Sequence, residues 1–221
     1  MSLVSFPGWG LSMDDLVQRE GLYYQKFTDV PFTGEVDEGR EQGVFKDGVR
    51  NGSRVGYHDN GQLEYKGHYK NGKEEGSWKN YYKTGRLESE GEFSNGMQEG
   101  SWTFFHKNGD VESKGNFRNG NKEDSWVFYK DGKIVKKINF KNGRWEVYES
   151  YHKNGKLEET GKYNKHGKNG LWIRYYHDGR LYSKGEYKNG KKEGYWVGYD
   201  FPETFNKKFS GTYKNGVKVS D

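Results

Sequence analysis

Apolar and polar residues alternate along most of this chain, in short runs that recur about every 24 residues. In one such run Leu87, Gly91 and Phe93 share one face, and the glutamates between them point to the other. An alternation of period 2 predicts a β-strand that is exposed to solvent on one side. A second run in each period carries a tryptophan, as at Trp102, and it also alternates. The pattern therefore predicts two strands in every period.

Glycine-containing turns separate these strands. Asn-Gly pairs are typical of two-residue hairpin turns because both residues tolerate positive φ, and they recur at 71–72, 95–96, 119–120, 142–143, 189–190 and 215–216. A second turn closes each repeat at Gly61, Gly85, Gly109, Gly132, Gly155 and Gly179. A further glycine recurs on the aromatic face, where it is predicted to let a neighbouring ring lie over bare backbone. These signals predict an all-β fold, an elongated single-layer antiparallel meander of β-hairpin repeats.

The repeat also divides the chain. Residues 1–20 are interpreted as a poorly ordered leader segment or cloning remnant, residues 21–42 as N-terminal cap strands, and residues 43–221 as an array of about seven repeats. Caps are expected because exposed sheet edges invite aggregation. Arg54 stands where the first repeat would carry its tryptophan, which suits a polar cap, and a shorter turn at Gly143 puts Tyr148 in the tryptophan position.

Composition supports a folded chain with an ordinary surface. Only 30% of residues are hydrophobic, but 17% are aromatic, which predicts a thin core built from rings. The 37 basic residues are interleaved with 32 acidic ones, so nucleic acid is not favoured as a partner. The absence of cysteine excludes disulfides and thiolate metal sites. Neither a signal peptide nor a membrane-spanning run is recognisable, but a removed leader would leave the same sequence, so cytoplasmic and exported locations both stay open.

The recurring phrase resembles a known repeat family. The pattern G-x-[YF]-x-N-G-x-x-x-G-x-W-x-x-[YF], as it stands from Gly91 to Phe105, resembles the bacterial variant of the MORN repeat. The lead-in at 21–35 and the close at 211–218 resemble one subgroup, the YwqK-type antitoxins of toxin–antitoxin systems, and the resemblance covers roughly residues 20–221. It implies a bacterial repeat scaffold whose partner is a toxin, neutralised by occlusion. MORN-like arrays also serve as lipid-contacting modules and as appendages to enzymes.

No constellation for catalysis emerges from the repeat. Three histidines occupy the position three residues before the turn glycine, where other repeats have tyrosine, so they are interpreted as packing residues: His58, His106 and His152. Equivalent residues in adjacent repeats lie about 9.6 Å apart, too far to share a metal ion. Recurrent glutamates such as Glu88 and Glu112 are interpreted as strand-face charges. No nucleophile elbow, phosphate-binding loop or kinase signature occurs. The sequence therefore predicts no enzyme, no cofactor and no metal site.

Two surfaces remain as candidates for binding. The first, which we term the ring ladder, lies three residues after each tryptophan position and so on the opposite face: Tyr81, Phe105, Tyr129, Tyr151, Tyr175 and Tyr199. Rows of exposed rings mark interaction surfaces, although two ring ladders could simply cover the two faces of one sheet. The second, the basic tips, could contact anionic lipid or acidic protein: Lys70, Lys73, Arg118, Lys122, Lys188, Lys191 and Lys192. Glutamates at the same turns offset this charge, so a solvated edge is the alternative.

The sequence thus predicts a non-catalytic scaffold that binds a protein through the ring ladder, with a toxin as the partner that the resemblance implies. Peripheral binding to anionic membrane lipid is one alternative. Binding of a glycan or cell wall by aromatic platforms is another. The oligomeric state is left open.

Overall fold

The structure, a computed structural model, describes residues 10–201 and 204–221. Within these residues the one helical element is a short 3-10 turn, Met13–Asp15. The strands are β1 (Leu16–Arg19), β2 (Leu22–Gln25), β3 (Gly34–Val36), β4 (Glu41–Lys46), β5 (Val49–Tyr57), β6 (Leu63–Lys70), β7 (Lys73–Tyr81), β8 (Leu87–Ser94), β9 (Met97–Phe105), β10 (Val111–Arg118), β11 (Asn121–Lys130), β12 (Lys133–Lys141), β13 (Arg144–Tyr151), β14 (Leu157–Asn164), β15 (Gly167–Tyr175), β16 (Leu181–Lys188), β17 (Lys191–Asp200), β18 (Thr204–Phe205), β19 (Gly211–Lys214) and β20 (Val217–Ser220). The predicted all-β class is confirmed.

The chain divides into two compact units. Within the described residues, unit 1 contains those up to Glu99 together with Phe105–Gly109, and unit 2 contains those of Gly100–Phe104 and Asp110–Asp221. In unit 1, β1 pairs with β2, and consecutive strands from β3 to β8 pair antiparallel. In unit 2, the strands from β10 to β17 pair in the same way, and β17, β19 and β20 continue the series. Each unit is thus built from the predicted consecutive hairpins.

The hairpin tips have the backbone that their sequence predicts. Asn71 and Gly72 have φ angles of 51° and 80°, and the other Asn-Gly pairs are alike. Two consecutive residues at positive φ give a turn whose twist matches that of the flanking strands. The β14–β15 tip lacks this pair, and there the Asn164 side chain accepts a hydrogen bond from the backbone N–H of His166 at 2.8 Å. A side chain thus closes this turn, in which glycine does not directly follow asparagine.

Tryptophans form the buried face of the array. Five of them are almost fully buried, namely Trp78, Trp102, Trp126, Trp172 and Trp196. The recurrent glycine lies directly beneath the ring: a Cβ atom on Gly161 or Gly185 would stand 2.2 Å from a ring carbon of Trp172 or Trp196. No real Cβ makes such a contact, so only glycine admits the indole here. The predicted close approach of ring to bare backbone is confirmed.

Arg54, which the sequence suggests as part of a polar cap, is buried. It occupies the tryptophan position of the first repeat and is only 4% exposed. Its Nη2 donates to the carboxylate of Glu41, which also lies 3.9 Å from the guanidinium of Arg50. A buried charge requires a partner, and the neighbouring strand β4 supplies one. Arg54 is therefore a paired member of the buried row.

The N-terminal cap is larger than the sequence predicts. Strand β1 begins at Leu16, within the segment that was interpreted as a leader, and residues 1–9 lie outside the described part of the chain. Leu16 packs into a small core with Phe32, Val36 and Phe45. This cluster has no tryptophan and does not follow the repeat, so the periodic pattern gave no sign of it.

Candidate binding surfaces

Each ring of the ring ladder is half-buried rather than fully exposed. The register explains why. Tyr81 is paired with Leu87 across the turn, and Tyr175 with Leu181. An aliphatic side chain therefore stands beside these rings and shields part of their surface. Unit 1 contains Tyr81 and Phe105, and unit 2 contains the four other members of the ladder.

The backbone of the ladder is fixed by rings from the preceding repeat. The hydroxyl group of Tyr82 donates a hydrogen bond to the carbonyl of Phe105 at 2.6 Å, and that of Tyr176 donates one to the carbonyl of Tyr199 at 2.7 Å. His58 occupies the equivalent place, with its Nε2 atom 2.8 Å from the carbonyl of Tyr81. These turn residues are structural, as the sequence predicts for the histidines. They hold successive repeats in one geometry.

Two ladder rings are further covered by lysines. The ammonium group of Lys114 lies 5.7 Å from the ring centre of Tyr129, and that of Lys137 lies 5.4 Å from the ring centre of Tyr151. Burial and a hydrogen bond to Glu149 raise the pKa of the Tyr151 hydroxyl. These two positions therefore offer less apolar surface to a partner than the final repeats do.

An exposed apolar surface lies on β15 and β17. Leu171 is 53% exposed and Tyr195 is 59% exposed, and each stands immediately before a buried tryptophan. Together with Val197 and Tyr199 they line a shallow groove of about 590 Å³, flanked by Lys184, Glu186 and Glu193. We term Leu171, Tyr195, Val197 and Tyr199 the apolar patch. It includes one member of the ring ladder, Tyr199.

A signal for the apolar patch is present in the sequence. The residue before the tryptophan is an exposed serine in three repeats, at Ser77, Ser101 and Ser125. Leucine and tyrosine replace it in the last two repeats, at Leu171 and Tyr195. A solvent-facing position gains nothing in stability from an exposed apolar side chain. Comparing the same position across repeats would therefore have located the patch.

The basic tips divide into two groups. Lys70, Lys73, Arg118, Lys188 and Lys191 are exposed at the turns. The two others lie over the tryptophan face: the ammonium group of Lys122 is 4.0 Å from the ring centre of Trp126, and that of Lys192 is 3.7 Å from the ring centre of Phe209. Burial lowers the pKa of both lysines. These two lysines cover core rings through cation–π contacts, a role that the turn pattern of the sequence does not indicate.

Carboxylates at the tips have a structural role of their own. Glu75 accepts a hydrogen bond from the backbone N–H of Asn95 at 2.9 Å, and Glu193 accepts one from Asn215 at 2.9 Å. Each glutamate therefore anchors the following hairpin tip. It also places a negative charge beside the exposed lysines, which reduces the positive field of this edge.

The described residues contain no cluster of side chains suited to hold a metal ion, and no helix with the length and apolar character that a membrane crossing requires.

Tyr69 provides a pH-dependent test of the tryptophan face. Burial, followed by a hydrogen bond to Glu74, raises its pKa from 10.0 to about 12. A raised pKa means that the folded state retains the phenolic proton, so the stabilisation is complete below pH 10 and is lost as the pH rises towards 12. Between pH 10 and pH 12 we expect the free energy of unfolding to fall by about 1 kcal/mol less in Tyr69→Phe than in the wild type. Urea unfolding at several alkaline pH values measures this. Equal losses in the two proteins would contradict the assignment.

The fold and its surfaces define the class of protein, which is an antiparallel hairpin-repeat protein with a buried tryptophan row. The MORN repeat variant family matches more than half of the chain, at residues 50–71, 74–95, 98–119, 127–142, 147–165 and 168–189, and the protein belongs to that family. This repeat is a non-enzymatic repeat type. No curated protein matches the chain.

Solved structures show only remote likeness. A TarM variant from S. aureus shares 13% identity over 53% of this chain and 19% of its own, with a TM-score of 0.28. The GtfA/B complex shares 11% over 80% of this chain and 26% of its own, at 0.21. The accessory secretory protein 1, 2 and 3 complex from Streptococcus pneumoniae shares 12% over 72% and 22%, at 0.17. The chain thus spans about a fifth to a quarter of the length of these structures, and likenesses this weak carry no argument about function.

Proposed function

We propose that this protein is a non-catalytic scaffold that binds another protein through the apolar patch on β15 and β17. The observation that carries this proposal is the replacement of an exposed serine by Leu171 and Tyr195 at a position where neither adds to the core. Large apolar side chains that lie together on a surface are typical of interaction sites. Membership in a family of non-enzymatic repeats agrees with this role.

The geometry of the patch suits a protein partner. Leu171 and Tyr195 offer an aliphatic and an aromatic anchor, and Lys184, Glu186 and Glu193 around them offer both signs of charge. An apolar centre with a polar rim is the usual anatomy of a protein interface. Because hydrogen bonds from the turn rings fix the strands beneath, as at Tyr199, the patch is ordered before it binds, which lowers the entropic cost of association.

A toxin is the partner class that the sequence resemblance implies. Occlusion by a rigid sheet face needs no catalytic group, so a repeat scaffold of this kind suffices for neutralisation. In this hypothesis the partner presents its own active-site rim to Leu171 and Tyr195. Toxicity assays with and without this protein, once the partner has been cloned, separate a toxin from any other bound protein.

Anionic lipid is the weaker candidate. The exposed basic tips would have to supply the attraction, but Glu75, Glu123 and Glu193 lie at the same turns, and two of the seven basic residues cover tryptophan-face rings instead. Sedimentation with anionic vesicles at low salt measures this directly. Salt-sensitive pelleting that survives loss of the apolar patch would favour lipid over protein.

The decisive variant restores the serine of the other repeats. We expect Leu171→Ser/Tyr195→Ser to keep the fold, because both side chains point to solvent, and to weaken partner binding about 100-fold or more. The partner is first recovered from the source cells with the wild-type protein and identified by mass spectrometry. Its binding is then measured by calorimetry with purified components.

Val217→Ser is the matched control, since Val217 is 66% exposed and lies outside the patch. It should bind the partner as the wild type does. Binding that is equal in the wild type and in the double serine variant would refute the patch as the binding site. Failure to recover any stoichiometric partner would count against a protein-binding role altogether.

A further inference from the structure

Among the tryptophans that the structure describes, Trp145 alone is exposed. It is 41% exposed, whereas the five tryptophans of the buried row are at most 6% exposed. One face of its indole stacks on Tyr148, at 5.9 Å between ring centres and 12° between planes, and Tyr163 packs edge-on at 5.2 Å. The ring is thus held rigidly while much of its surface faces solvent.

A shortened hairpin accounts for this exposed ring. In neighbouring repeats a lysine covers the buried tryptophan, as Lys168 does over Trp172 at 3.7 Å. The strand after the Gly143 tip is shorter, so Tyr148 takes the tryptophan position and pairs with Ile138. Trp145 then occupies the covering position in place of lysine. An exposed indole here contributes less to the core than a buried one, and the deviation therefore suggests binding rather than packing.

A groove surrounds Trp145. It has a volume of about 920 Å³ and lies between the tips of the β12–β13 and β14–β15 hairpins. Three cationic side chains line it, Lys141, Arg144 and Lys165, against one carboxylate, Glu146. Within the described residues, none of these three cations has a carboxylate partner within 4.0 Å. The groove thus combines a half-exposed indole, whose ring centre lies 5.9 Å from the ammonium group of Lys136, with three cations that form no ion pair within 4.0 Å.

This chemistry selects an anionic ligand that also has a face to stack. The indole face carries negative quadrupole charge, and the polarised C–H groups of a sugar ring pack against such a face. Arg144 and the two lysines suit a carboxylate, sulfate or phosphate on the sugar. The Asn142 amide can both donate to and accept from hydroxyl groups. Each part of the groove therefore has a counterpart on an acidic sugar.

Single-stranded nucleic acid fits the groove less well. Proteins that bind it usually offer successive rings for successive bases, whereas Tyr148 and Tyr163 are occupied in packing against Trp145. Glu146 can accept hydrogen bonds from sugar hydroxyls. A single available indole thus suits one sugar ring better than a run of bases.

We propose that the groove around Trp145 binds an acidic carbohydrate, with one sugar ring stacked on the indole and its anionic group held by Arg144 and Lys165. This site is separate from the apolar patch, so the protein has two binding surfaces of different chemistry. Loss of one does not require loss of the other.

Calorimetric titration of the full chain tests this proposal with four probes. These are an oligogalacturonate, a heparin-derived oligosaccharide, a neutral maltooligosaccharide and an oligouridylate, all at low salt. We expect either or both acidic oligosaccharides to bind, with affinity that falls as salt is added. Trp145→Ala and the double variant Arg144→Ala/Lys165→Ala should each weaken this binding about tenfold or more. Lys130→Ala/Lys153→Ala removes the same charge at the opposite hairpin edge and should leave it unchanged.

Circular dichroism and thermal unfolding establish that each variant is folded. The carboxylated and sulfated probes distinguish which anion the cations prefer, and preference for either supports the proposal. Three results would overturn it. These are no salt-sensitive binding of an acidic oligosaccharide, equal binding by the wild type and the Trp145→Ala variant, or tighter binding of the neutral sugar or the oligouridylate.

Discussion

Replacing Gly185 with alanine should destabilise unit 2 by about 3 kcal/mol. The new methyl group would stand 2.2 Å from a ring carbon of Trp196, which is buried and packs edge-on against Tyr187 at 4.9 Å. The indole N–H also donates a hydrogen bond to the carbonyl of Glu186 at 2.9 Å. Because this ring is held on several sides, it cannot simply move away. Urea unfolding monitored by tryptophan fluorescence measures the loss.

Gly155→Ala separates this contact from the backbone preference of glycine. Gly155 has a φ of 82° and open space around the position of a Cβ atom, so alanine there should cost only about 1 kcal/mol. Combining Gly185→Ala with Trp196→Leu should cost less than the sum of the single changes, because the smaller side chain relieves the overlap. If Gly155→Ala proves as damaging as Gly185→Ala, overlap with the ring is not the cause.

Trp126→Ala should lower the free energy of unfolding by about 4 kcal/mol. Trp126 is fully buried, and Phe117 packs edge-on against it at 5.0 Å. Phe104 on β9 and Phe140 on β12 also contact the ring. Truncation would therefore open a cavity between neighbouring hairpins and leave the carbonyl of Asn116 without its indole donor. Chemical denaturation provides the measurement.

Trp145→Ala is the matched control for this truncation, since the same atoms are removed from a ring that is 41% exposed. It should cost about 1 kcal/mol, because only the stacking on Tyr148 and the edge contact with Tyr163 are lost. Trp126→Phe should fall between the two. A similar cost for Trp126→Ala and Trp145→Ala would show that burial in the tryptophan row does not dominate stability.

The sequence predicted the hairpins and the buried face because both follow local rules. Asn71 and Gly72 specify a turn by their own backbone preferences, and alternation of period 2 assigns each side chain to a face. The glycine beneath the ring, such as Gly185, could be predicted because a tryptophan recurs at a fixed distance from it. Repetition made these inferences consistent from one repeat to the next.

The candidate sites were harder to predict because they depend on departures from the repeat. The exposure of the ring ladder depends on partners such as Leu87, which only the register reveals. Leu171 and Tyr195 differ from the serines of other repeats, yet a search for recurring residues passes over them. The exposure of Trp145 could be recognised only when the shortened strand was placed in three dimensions.

The burial of Arg54 could not be predicted from the repeat either. A charged residue in a tryptophan position suggests an exposed end when the sequence is taken alone. Its burial depends on Glu41 in the neighbouring strand, thirteen residues away. Long-range ion pairs of this kind produce no periodic pattern in the sequence. The packing of Leu16 into the N-terminal core produces none either.

The residue before each tryptophan can change during evolution, and so alter what the surface binds, without altering the fold. Ser77, Ser101 and Ser125 point to solvent while the next residue anchors the core. A change at such a position alters what the surface can recognise at little cost to folding, so several such positions can vary independently. Grafting Leu171 and Tyr195 side chains onto earlier repeats would therefore be a direct way to enlarge or relocate the proposed binding surface in an engineered protein.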